Sequence, residues 1–72
     1  MAEVILYFGN DIDTMIATKA LRLGGVKARV IPRPPSAAAT LSHLCLTVDA
    51  DVEANAKSAL AGAGVELRAV TK

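Results

Sequence analysis

The chain holds a single cysteine and a single histidine, Cys45 and His43, two residues apart. On an extended strand, side chains two apart share a face, so the thiol and the imidazole are expected side by side. An adjacent imidazolium, or the guanidinium of Arg29 on a neighbouring strand, would lower the thiol pKa and favour the reactive thiolate. Cys45 is then the only candidate nucleophile, with His43 and Arg29 as candidate stabilisers of its anion. A second reading stands beside it: cysteine between Leu44 and Leu46 is a small apolar residue, and free cysteines are among the most often buried.

Other sites are excluded by residue count. With one Cys and one His, a four-ligand Cys/His metal site cannot be assembled within one chain. Only a metal shared across an oligomer stays open. Gly9-Asn10-Asp11-Ile12-Asp13 joins a strand to a helix, a place where phosphates bind backbone N–H groups. It has one glycine, and both aspartates repel an anion, so it reads as a helix cap. No cofactor motif is present. Pro32-Arg33-Pro34-Pro35 reads either as a stiff partner-docking segment or as a guard against edge-to-edge sheet pairing.

The elements that position these residues come from a near-duplication. Leu21-Arg-Leu-Gly-Gly25-Val26-Lys-Ala-Arg29 is echoed 39 residues later by Leu60-Ala-Gly-Ala-Gly64-Val65-Glu-Leu-Arg68. Each copy reads as a helix end, a glycine stop and a strand start. Ahead of each lies an alternating apolar run, Val4 to Phe8 and Leu44 to Val48.

The first helix is expected to run from the Asn10-Asp11 cap to about Leu23, burying a stripe of Ile12, Met15, Ile16, Ala20 and Leu23. The second strand, 26–31, puts Val26, Ala28 and Val30 inward. Segment 32–42 reads as a crossover loop, with a helical turn at 37–41 as the alternative. The third strand, 43–48, puts Leu44, Leu46 and Val48 inward. The second helix, capped by Asp49 or Asp51, presents Val52, Ala56, Ala59, Leu60 and Ala63. The last strand turns Val65, Leu67 and Ala69 inward.

The order βαββαβ with right-handed crossovers predicts an α+β, ferredoxin-like sandwich: a four-stranded antiparallel sheet with both helices on one face and strands one and three central. The bare face would carry Ile5, Tyr7, Lys27, Arg29, His43, Cys45, Thr47, Glu66 and Arg68. A βαββαβ sheet that binds RNA stacks bases on aromatic residues, and only Tyr7 is available here.

Residues 1–72 form one domain, near the lower size limit for a self-sufficient core. The chain is 53% apolar but has only two aromatic residues, Tyr7 and Phe8. Its core must therefore be small and aliphatic, and a partner subunit would help to stabilise it. Eight basic and seven acidic residues, a net charge of +1, argue against nucleic acid and membrane-surface partners. The Met-Ala-Glu start lacks signal-peptide character, and no apolar run approaches the ~18 residues that span a bilayer. A cytoplasmic location is the expectation.

Phe8, Asp13, Ala17, Lys19-Ala20-Leu21, Gly25, Arg29 and Ile31-Pro32-x-Pro34 resemble, without a gap, the small bacterial and archaeal family of selenium/sulfur carrier-like proteins, itself a domain of unknown function. The second half is similar in outline: a strand ending in Asp49, a helix, then Gly64-Val65-Glu66. That family carries a Cys-Gly pair after its Pro-x-Pro, which would fall near Leu41-Ser42; neither a Cys nor a Gly stands there. The resemblance implies a small non-enzymatic accessory protein in sulfur or selenium metabolism. Cys45 would hold a persulfide or selenopersulfide, with His43 and Arg29 stabilising the anion and a donor or acceptor protein as partner. The alternative is a non-catalytic subunit or interaction module that has lost the carrier pair. It would dock through the open face, the strand edges and Pro32–Pro35 onto a larger enzyme or a second copy.

Overall fold

The computed structural model describes residues 2–71; of the expected 1–72 domain, Met1, which opens the Met-Ala-Glu start, and Lys72 lie outside the described residues. The elements run β1 (Glu3–Tyr7), α1 (Asp11–Leu23), β2 (Arg29–Pro32), β3 (Leu44–Asp49), a 3-10 turn (Ala50–Val52), α2 (Glu53–Ala63) and β4 (Ala69–Thr71). The strands form one antiparallel sheet in the order β2-β3-β1-β4, so β1 and β3 are central. The fold is the expected ferredoxin-like α+β sandwich.

Alternation fixes the register. Val4 pairs with Val48 and Leu6 with Leu46, which brings apolar side chains together on the helix side of the sheet. These four join Phe8, Ala17, Leu21, Val26, Ala56 and Leu60 in one buried cluster. Each large member removed from water contributes about 1.5–3 kcal/mol. The duplication is visible in the backbone: Gly25 and Gly64, the matching glycines, both adopt the left-handed conformation, at φ 77° and 75°. Both helices thus stop on the residue type that enters this region without strain.

Five details depart from the sequence expectations. The first is the second strand, expected at 26–31 but running Arg29–Pro32, with Val30 43% exposed on this edge strand. The largest concerns α1. Its buried residues are Thr14, Ala17 and Leu21, while Ile12, Met15, Ile16 and Leu23 are 73%, 58%, 46% and 78% exposed. The expected stripe faces outward: the residues turned to the core are Thr14, Ala17 and Leu21 on the opposite side of the helix. Neither Asp49 nor Asp51 caps α2; a 3-10 turn leads into it instead, and Val52 stands at the cap position. In the last segment the inward residue of β4 is Val70, opposite Leu6, rather than Ala69, which pairs with Tyr7. The phase changes because Val65 and Leu67 meet the core before the ladder begins. Finally, His43 precedes β3 instead of opening it.

Candidate functional site: the helix-free face and its cover

The helix-free face of the sheet is not bare. Ala37 N–H donates to the Pro34 carbonyl at 3.0 Å and Leu41 N–H to that of Ala38 at 3.1 Å, giving the β2–β3 connection two tight turns. The segment leans over β1 and the β3 start. Ser42 N–H donates to the Phe8 carbonyl at 2.8 Å, tying its far end to the strand beside it. Arg33 serves as a clip: its guanidinium donates to the Leu41 carbonyl at 2.6 Å and to that of Ala39 at 3.4 Å. Its own N–H donates to the His43 carbonyl at 2.8 Å, extending the ladder past Pro32.

A second set of contacts fixes the base of this cover to α1. The Thr14 hydroxyl donates to the Leu44 carbonyl at 2.9 Å, and the Ser42 hydroxyl donates to the same oxygen at 2.6 Å. Asp11 accepts from Leu44 N–H at 3.2 Å. Thr14 and Ser42 are buried, so these bonds also satisfy polar groups that would be costly to leave unpaired. The start of α1 is held as expected for a capped helix, with the Asn10 side chain accepting from Asp13 N–H at 2.8 Å.

Beneath the cover lies Cys45, on β3 opposite Ile31, with no exposed surface. Burial pushes its thiol pKa up from the ordinary value; the Arg33 guanidinium pulls it partly back, and the Asp11 carboxylate adds to the rise. The sulfhydryl is thus held neutral and out of reach of water, the opposite of the conditions that make a thiol nucleophilic.

The two residues expected to stabilise a Cys45 anion lie elsewhere. His43 is exposed, with its imidazole Nδ1 3.9 Å from the Asp11 carboxylate. Because it sits outside the strand, the two-residue spacing that would have placed it beside the sulfur does not apply. Arg29 pairs in register with Thr47 and forms an exposed ion pair with Glu3 at 3.2 Å. The cation whose charge reaches Cys45 is Arg33, from the proline-rich segment. No periodic pattern in residues 32–42 signals that fold-back, so the sequence offered no cue to it.

Where the cover stops, a groove of about 520 Å³ opens. Ile5, Tyr7 and Ala69 form its floor, and Pro34, Ala37 and Leu41 lie along its wall. Tyr7 is itself buried, with its hydroxyl 3.1 Å from that of Thr71. The expected docking residues Pro32 and Pro35 are exposed, whereas Arg33 and Pro34 are half-buried in the cover.

Among the described residues, no group of three or more His, Cys, Asp or Glu is placed to hold a metal ion. No helix among them is long and apolar enough to cross a membrane. No family model, curated protein or solved structure matches the chain.

Proposed function

We propose that this protein is a cytoplasmic, non-catalytic accessory module that acts by docking onto a protein partner and uses its one thiol as a core residue. The observation that carries this reading is the sealed Cys45, buried under a segment that Arg33 clips shut. The groove beside it suits an apolar element of a partner: its lining is mostly aliphatic or aromatic, with Ser36 and Thr71 as its hydroxyl groups, and its size falls within the range of ordinary binding pockets. Native-state alkylation followed by intact mass tests the proposal. Cys45 should stay unmodified until denaturant unfolds the chain. Rapid labelling of the folded protein would overturn it.

A second reading, sulfur or selenium carriage, is favoured by one specific feature. The residue that closes the cover is also the cation that acts on the thiol. If the segment lifted, Cys45 would meet solvent with a guanidinium nearby, a setting that stabilises a persulfide anion. The scaffold's resemblance to selenium/sulfur carrier-like proteins points the same way. Incubation with a cysteine desulfurase and cysteine separates the two readings. Docking alone leaves the mass unchanged, whereas carriage adds one sulfur atom at Cys45.

A further inference from the structure

The outer face of α1 carries the largest exposed apolar side chains of the described chain. Ile12, Met15, Ile16 and Leu23 recur at the three- and four-residue spacing of one helical stripe, diametrically opposite the buried Thr14, Ala17 and Leu21. At exposures of 46–78%, four such side chains form a patch on the order of 500 Å², towards the upper end of what an isolated domain shows. Lys19 lies inside the stripe, where a lysine stem can add apolar surface while its ammonium stays in water. Lys19 and Arg22 are both exposed. Neither forms an ion pair among the described residues.

We propose that this face binds a second copy of the chain, with the two α1 helices antiparallel across a two-fold axis near residue 17. Three features select that occupant. The first is length. Ile12 and Leu23, eleven residues and about three full turns apart, point the same way, so reversing the partner helix sets Ile12 against Leu23 of the other copy. The second is charge. Asp11 and Arg22 have the same eleven-residue spacing and share one flank. The antiparallel pairing brings the half-exposed Asp11 carboxylate to the unpaired Arg22 of the other copy, twice by symmetry. It also sets each positive helix N-terminus beside a negative C-terminus. The third is area: two such faces together amount to on the order of 1,000 Å², the threshold for a specific, if weak, interface.

The arrangement does not depend on what Cys45 does. It rests on the docking reading only in treating the outer surface as a working one.

Sedimentation equilibrium over about 10–500 µM, a range suited to an interface at the small end of the scale, tests the association. The intact chain should show a monomer–dimer equilibrium. Ile16→Glu, which places a charge at the centre of the contact, should weaken it about 100-fold or more with the circular dichroism unchanged. Arg22→Glu should weaken it about 10-fold and reduce its dependence on salt. Orientation is read by mixing Ile12→Cys with Leu23→Cys chains under mild oxidation. The antiparallel pairing predicts the mixed disulfide, because in it like positions lie about 16 Å apart along the axis. A monomer across the whole range, a dimer indifferent to Ile16→Glu, or like-with-like disulfides would each overturn the proposal. None of these results alters the native protection of Cys45, so the failure of this proposal is distinguishable from failure of the docking reading.

Discussion

α1 and α2 hold equivalent places in the two halves, each following a central strand and ending on a left-handed glycine. Their inner faces match: Ala17 and Leu21 on one, Ala56 and Leu60 on the other, all buried in the same cluster. Their outer faces do not. The exposed side of α2 is Ala54, Asn55, Lys57, Ser58 and Ala61, small or polar, with Lys57 paired to Glu53 at 2.9 Å. The exposed side of α1 is Ile12, Met15, Ile16 and Leu23, with Lys19 and Arg22 beside them. Because the fold places equal demands on both helices, the apolar exterior of α1 is not something the fold requires. The duplication accounts for the core, and the difference between the copies falls on the face proposed to bind a second chain.

The sharpest way to break that comparison is to delete one matched core residue from each half. Leu21→Ala and Leu60→Ala should each destabilise the chain by about 2–5 kcal/mol in denaturant unfolding, since both side chains are fully buried. The two values should agree to within about 1 kcal/mol if the halves contribute alike to the cluster. A large inequality would show that one half holds the core alone.

Of intermediate size is the effect of the glycine stops. Gly25→Ala and Gly64→Ala force a side chain into the left-handed region, which costs about 1–2 kcal/mol at each site. An ideal Cβ meets nothing within 4 Å at either position, so the loss is one of backbone conformation and not of packing. Matching shifts in thermal unfolding would extend the equivalence of the halves from their cores to their turns.

These turns were the most legible part of the sequence. Glycine stops at matching offsets and two alternating runs leave few other ways to fold, and strand order follows from crossover handedness. The helix faces were less legible. In α1 the outward stripe is longer and more apolar than the inward one, so periodicity by itself selects the wrong face. Only comparison with α2, where Ala56 and Leu60 sit at the positions of Ala17 and Leu21, points to the inner set. The site was legible in part: alternation separates Cys45 from its inward neighbour Leu46, but residues 32–42 carry no pattern that predicts a lid or brings Arg33 to the sulfur.

That lid creates a second asymmetry between the halves, and the smallest effect tests it. Ile5 and Cys45 occupy corresponding positions on β1 and β3, yet Ile5 lines the open groove while Cys45 is sealed. Burial raises the folded thiol pKa above its reference of 9.0. The contribution to stability is therefore complete below about pH 9 and declines as pH rises towards the folded value, because the unfolded thiol ionises first and the buried one does not. The decline can reach about 1.4 kcal/mol per pH unit for a single group. The measurement is the difference between the intact chain and Cys45→Ala in urea midpoints near pH 8 and pH 10, which cancels contributions common to both. Between these conditions the intact chain should lose more stability than the variant. Parallel losses would mean that the thiol ionises as readily in the folded chain as in the unfolded one, and that the segment clipped by Arg33 leaves β3 as open to water as the groove over Ile5.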